Sequence, residues 1–276
     1  MTIRSRSGSP RLDLGDAIHD GWLAFSRRPW TFVAFTVLVT LALGLLWRLL
    51  QFTLPAAGAP AGPVRWGGRA LVLLEGLALA GLWIWAGLGL TRGAADSLAG
   101  RRPRLGRMLR WRGRSVAGVA RSMLLVILIL AAAIAANLLL LGGALTLVNW
   151  LAEGTTGLAR EALTLVSLAL GLLMLALLGC TLLAGLYLAV NQKFLMQIAL
   201  LESGGPAWML RRGRRLIDPH WPLMLLLAVI ETVLLLLGLA FCVVGVFLSW
   251  PLVACISTAA YRQLAEEGAS AGAAPG

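Results

Sequence analysis

The sequence predicts an all-α, polytopic membrane protein with six transmembrane helices in three hairpins, each hairpin preceded by a basic amphipathic interfacial helix. Three observations predict it. Of the 276 residues, 59% are hydrophobic and only 13% charged, with a mean hydropathy of +0.85, whereas a soluble domain carries about 25% charged residues. Apolar runs of about 20 residues, the length that crosses a hydrocarbon core of ~30 Å, recur along the chain and leave no stretch long enough for a separate soluble domain. The basic residues, finally, gather in short tryptophan-bearing segments between those runs.

The first run is Trp30–Leu54. After the turn-forming stretch PAAGAPAGPVRWGG, the second covers Ala70–Thr91. The third is Val116–Leu141, with Gly142-Gly143 expected to end it, and the fourth is Ala162–Val190, with a continuation to Leu201 left open. The last apolar region, Trp221–Tyr261, would measure about 60 Å as one helix at 1.5 Å per residue, twice the core thickness. Two spans with a tight turn near Phe241–Gly245 fit it better, with Pro251 in an early turn of the sixth helix, where a kink is tolerated. The expected organisation is one integral membrane domain over 1–267, with hairpin units 12–92, 93–201 and 202–265. A small, polar tail over 268–276 is expected to be disordered.

Each unit opens on a basic segment: LGDAIHDGWLAFSRRPW, then RRPRLGRMLRWRGR, then ALLESGGPAWMLRRGRRLIDPHW. With six spans, the N-terminus, the 92–115 and 191–220 loops and the C-terminus share one side. That side holds 20 of the 24 basic residues if Arg121 is counted with it, leaving Arg48, Arg65, Arg69 and Arg160 opposite. The bias follows the positive-inside rule, so both termini are expected in the cytoplasm of a cell with this protein in its inner membrane. Residues 1–29 lack the pattern of a secretory signal, and Pro60 directly after Ala57-Gly58-Ala59 disfavours cleavage there, so the first span is expected to be retained. A net charge of +12 could suggest nucleic acid, but the arginines flank apolar runs and no nucleic-acid partner is expected. Cys180, Cys242 and Cys255 each lie inside an apolar run without a ligand neighbour and read as inert thiols.

Several residues carry a family resemblance. Ala199-Leu200-Leu201-Glu202, Gly205, Ala207, Arg211-Arg212, Leu216-Ile217 and Trp221 resemble a recurring block of bacterial six-helix membrane proteins. That group is related to the YciC-like proteins and to the membrane domain of some glycerophosphoryl diester phosphodiesterases. Gly100-Arg101-Arg102-Pro103 with Leu105, and Cys242, Gly245, Pro251 and Tyr261-Arg262, are similar to its second basic helix and final hairpin. The resemblance implies the six-helix fold. The phosphodiesterase barrel is absent from the sequence, so that activity is not implied.

The basic segments supply the candidate binding residues. Over Ala207–Ile217, Pro206 suits the first position of a helix. Trp208, Leu210, Leu216 and Ile217 are expected in the headgroup layer, with Arg211, Arg212, Arg214 and Arg215 facing phosphates, as in a helix lying on an anionic leaflet. There each cation contributes roughly 1 kcal/mol. Arg101, Arg102 and Arg104 repeat the pattern. The expected partners are anionic inner-leaflet lipids, with a cytoplasmic or membrane protein as a further possibility.

Charges within spans are costly and mark function or pairing. Glu231 sits about ten residues into the fifth span; it is expected either to be hydrogen-bonded to a group such as Asn137 or to serve as a proton or cation site. Arg48 and Glu75 fall at similar depth on antiparallel spans and are expected to pair. His19 with Asp16 and Asp20 supplies only one imidazole and reads as an exposed face rather than a metal site. No phosphate loop, zinc-hydrolase or nucleophile-elbow motif occurs, so no catalytic residue, cofactor or metal is expected. These readings favour a non-enzymatic membrane scaffold or envelope-maintenance factor, with a small transporter using Glu231 as the alternative.

Overall fold

The computed structural model describes residues 12–58, 63–202, 204–241 and 244–272, and every regular element among them is a helix. α1 (Leu14–Ser26) begins at Asp13, whose carboxylate accepts the backbone N–H of Asp16 at 3.1 Å and so satisfies one of the orphan donors of a helix start. α2 (Pro29–Ala57) and α3 (Pro63–Leu98) follow. After the single turn α4 (Leu105–Met108) come the long helices α5 (Gly113–Glu153) and α6 (Leu158–Asn191). Two shorter helices, α7 (Leu195–Leu201) and α8 (Pro206–Ile217), precede α9 (Trp221–Ala240) and α10 (Val246–Gly272).

Five helical stretches among the described residues are long and apolar enough to cross a membrane: Pro29–Pro55, Trp66–Leu98, Gly113–Glu153, Leu158–Leu201 and Pro206–Ala240. Leu41, Leu73, Leu139, Leu182 and Leu236, one from each, are all more than half exposed. Soluble monomers rarely expose contiguous apolar patches beyond a few hundred Å², so this surface is consistent with a helical membrane protein. α10 is not among the five. It carries Ser249, Ser257 and Thr258, all buried, beside buried Cys255, Ile256, Ala260 and Tyr261. Its neighbours are α1, α2, α3, α8 and α9, so much of its surface is covered by protein and needs no apolar coat.

Contacts divide the chain into two compact units, residues 1–120 with 192–276, and residues 121–191. The boundary runs through the middle member, 93–201, of the expected three-unit repeat. In the first unit, Phe32, Phe35 and Val39 of α2 pack with Ala86, Leu90 and Ala94 of α3 and with Met108 of α4. α1 lies against α10 at Gly21, where a Cβ would stand 2.6 Å from the Ile256 Cα; only glycine lets the two backbones come this close. The end of α1 is locked to α3, since the Ser97 hydroxyl donates to the Ala24 carbonyl at 2.6 Å and the Arg27 guanidinium donates to the Ser97 carbonyl. In the second unit, α5 from Arg121 onward and α6 are joined by a side-chain bond from Asn137 Nδ2 to Thr181 Oγ1 at 2.9 Å.

Several expected boundaries move. α3 passes Thr91 and runs to Leu98, where Gly100 (φ +75°) ends it. The Gly100 and Arg101 N–H groups bond back to the carbonyls of Ser97 (3.0 Å) and Asp96 (2.9 Å), the paired closure that a left-handed glycine permits. Gly142-Gly143 do not end the third run: α5 continues to Glu153, because a glycine costs about 1 kcal/mol in a helix and the surrounding leucines still favour helix in apolar surroundings. The fourth run is broken at 192–194 before α7. The second basic segment is not an interfacial helix but the single turn α4, after which Arg92 Nη1 donates to the carbonyls of Arg107 (2.8 Å) and Arg110 (2.7 Å). α10 reaches Gly272, so the first five residues of the expected tail are helical, and 273–276 lie outside the described residues, as do Ala59, Pro60 and Cys242.

Candidate functional site

α8 shows how the sequence makes a charged collar. Pro206 opens the helix, and Gly205 precedes it in extended conformation. Met209, Gly213, Leu216 and Ile217 fall on one face at helical spacing and are buried, while Arg211, Arg214 and Arg215 stay exposed. Leu216 and Ile217, expected in the headgroup layer, are therefore packed into the protein, and the exposed side of α8 carries Arg211, Arg214 and Arg215 with Trp208. Trp208 is 37% exposed and lies over Gly204.

Arg212 departs from its neighbours. Its Nε donates to Glu202 Oε2 at 3.0 Å and its Nη2 to Oε1 at 3.3 Å, a forked pairing suited to a guanidinium and a carboxylate. The Tyr261 hydroxyl donates to the same Oε1 at 2.6 Å. Expected to face phosphate, Arg212 instead ties α8 to the end of α7 and to α10. Glu202, Arg212 and Tyr261, distant in sequence and all part of the motif resemblance, meet in one cluster.

The second basic segment converges on a cavity of about 360 Å³. Arg92, Arg101, Arg107, Arg112 and Arg262 line it together with a single carboxylate, Asp96. The Gly100 closure positions Arg101 beside the end of α3. Arg107 Nη2 reaches Asp96 Oδ1 at 3.1 Å, and Arg92 Nη1 donates to the backbone carbonyls of Arg107 and Arg110. Arg262 touches Glu266 only at 3.6 Å, with Glu266 74% exposed, an arrangement that solvent screens to little. Of the residues expected to bind lipid, Arg101 enters this cavity, whereas Arg102 and Arg104 are exposed outside it.

Glu231 has a partner that the sequence reading did not assign. Its Oε2 lies 2.9 Å from Lys193 Nζ, and its Oε1 accepts the Ser257 hydroxyl at 2.8 Å; both members of the ion pair have side chains only 10% exposed. The Asn137 partnership does not form, because Asn137 bonds to Thr181 instead. Lys193 and Ser257 border a small cavity of about 150 Å³ with Thr91 and Gln197, and Trp83 and Trp250 stack at 4.8 Å along it. Gln197 is 4% exposed, and its Oε1 finds no hydrogen-bond partner. The signal for Lys193 was present in the sequence: it is the single lysine among 23 arginines, inside the polar break Asn191-Gln192-Lys193.

Arg48 and Glu75 do not pair. Glu75 Oε2 accepts the Thr53 hydroxyl at 2.6 Å, and Arg48 Nη1 meets Gln51 Oε1 at 3.5 Å. The carboxylate is met by a hydroxyl of the preceding helix, and the long arginine side chain turns along its own helix. Among the described residues no group of three His, Cys, Asp or Glu side chains is placed to hold a metal.

Fold and site together define a helical protein with membrane-length apolar helices, a buried ion pair and an arginine-lined cavity. No family model, curated protein or solved structure matches the chain.

Proposed function

We propose that this chain is a six-span inner-membrane protein of the YciC-like type, non-enzymatic, whose arginine collar engages the anionic cytoplasmic leaflet and holds the protein as a scaffold for envelope maintenance. Both termini lie in the cytoplasm. α10 is the sixth span: α9 turns back on it through Gly238 and Gly245, which touch directly, and its polar residues face protein rather than lipid.

One observation carries the lipid reading: Arg211, Arg214 and Arg215 stand exposed on α8 while the Arg212 fork and the buried face fix that helix on the protein. A fixed row of cations gains roughly 1 kcal/mol each near an anionic surface, without the entropy cost of ordering a loop. Replacing Arg211, Arg214 and Arg215 with Gln is expected to reduce co-purification of phosphatidylglycerol with the detergent-solubilised protein. Unchanged retention removes the lipid reading. Reporter fusions near positions 105 and 213 are expected to agree on a cytoplasmic location, and opposite locations remove the six-span reading.

The polar cavity beside Lys193 supports a second reading, a small transporter in which Glu231 and Lys193 line a path. In that case Glu231→Leu abolishes solute- or ion-coupled flux in vesicles from a folded protein, whereas a scaffold retains its function.

A further inference from the structure

The cavity among Arg92, Arg101, Arg107, Arg112 and Arg262 differs from the rest of the collar. The arginines exposed on α8 have local partners, Arg214 lying 3.7 Å from Asp218 and Arg211 Nε donating to the Ala207 carbonyl at 3.3 Å. Here five arginines from α3, the 101–112 segment and α10, most of them partly open to solvent, line one common space, with Asp96 as the single carboxylate in its wall. Like charges held together repel, and nothing in the wall beyond Asp96 offsets them. Asp96 is itself occupied by Arg107, so Arg101, Arg112 and Arg262 bring three charges with no buried counterion among the described residues.

We propose that this cavity is a binding site for a phosphate group, held by Arg101, Arg112 and Arg262 and shaped by Arg92 and Arg107. Guanidinium groups present planar pairs of N–H donors that match phosphate oxygens two at a time, so three of them satisfy a tetrahedral anion from several sides. Arg92 and Arg107 position rather than bind: one holds the carbonyls of the 107–110 turn, and the other is anchored on Asp96. The volume, about 360 Å³, falls at the lower end of ligand pockets, about 300–1,000 Å³, and accommodates a phosphate with a substituent.

Two sources offer that chemistry, a phospholipid headgroup or a soluble phosphoester. The walls favour the lipid. Leu200 and Leu201 line the cavity and, with Arg112, also line a neighbouring space of about 620 Å³ that Ala199 and Met209 make partly apolar, where a glycerol backbone and the start of an acyl chain fit. This choice of source rests on the proposed lipid-facing collar; the phosphate site itself does not.

The test uses the full chain in a neutral detergent. Thermal unfolding and ligand titration are followed for the wild type, for Arg101→Gln/Arg112→Gln, for Arg262→Gln, and for Arg211→Gln/Arg215→Gln, which lies outside the cavity. The probes are phosphatidylglycerol in mixed micelles, phosphatidylcholine as the neutral control, and glycerol 3-phosphate. The cavity variants are expected to fold, because they relieve repulsion, and to bind phosphatidylglycerol about tenfold or more weakly, the loss expected for one or two charge-assisted bonds. The α8 variant is expected to retain less bulk lipid and so reads the collar separately from this saturable site. Glycerol 3-phosphate binding with the same arginine dependence assigns the site to a soluble phosphoester; binding of the lipid alone assigns it to the headgroup. Equal affinity in wild type and cavity variants overturns the site, even where the α8 variant still loses bulk lipid and the collar reading stands.

Discussion

The pair Lys193–Glu231 gives a quantitative prediction. At 2.9 Å and an effective dielectric constant of about 20, two unit charges attract by about 6 kcal/mol. Desolvation of both groups offsets much of that gain, so the pair adds little over an apolar pair of the same shape. Removing one member is different. In Glu231→Leu the Lys193 ammonium stays where it is, with no other acceptor among the described residues, and Ser257 loses the acceptor of its hydroxyl. Breaking a buried pair in this way costs about 3–5 kcal/mol. Lys193→Met is expected to cost a similar amount, and Lys193→Met/Glu231→Leu less than either single change. The assay is reversible unfolding in mixed micelles of a mild detergent with increasing dodecyl sulfate, read by tryptophan fluorescence, with the coupling energy taken from the double-mutant cycle. A double variant as unstable as the two single losses added together means zero coupling and refutes the argument.

Two other perturbations probe the packing. Gly21→Leu places a side chain where even a Cβ comes within 2.6 Å of the Ile256 backbone; it is expected to lower stability by about 1–3 kcal/mol and to expose the α1–α2 link to protease, whereas His19→Ala, exposed on α1, leaves the cleavage pattern unchanged. Asn137→Leu removes the bond to Thr181 and is expected to cost about 0.6 kcal/mol and no more than about 1.7 kcal/mol, the range for polar contacts between membrane helices. A larger loss in dodecyl sulfate titration would assign Asn137 a further role.

The helical class was legible because apolar runs of this length leave the backbone few alternatives: each peptide group has to be satisfied within its own segment. What could not be read was where each helix stops. Gly142-Gly143 and Thr91 looked like ends by local propensity, but Asp96, Ser97 and the left-handed Gly100 decide the end of α3, and nothing decides against helix at 142–143. The arginines were legible as a set and not as individuals. Arg211 and Arg212 are adjacent and chemically alike, yet a 100° step around α8 leaves one exposed and brings the other onto Glu202. Arg112 and Arg262, 150 positions apart, share one cavity only through the fold. The Arg48–Glu75 expectation failed for a related reason: similar depth is necessary for pairing, but Thr53 offered a nearer partner.

α10 has one more implication. Its hydroxyl-bearing residues would partition poorly into hydrocarbon alone, and the groove that receives it is walled by α1, α2, α3, α8 and α9, all of which leave the ribosome earlier. Its solvent is therefore the rest of the protein. The first and last helices of the described chain, α1 and α10, meet at Gly21, so the first unit is complete only with both ends of the chain in place.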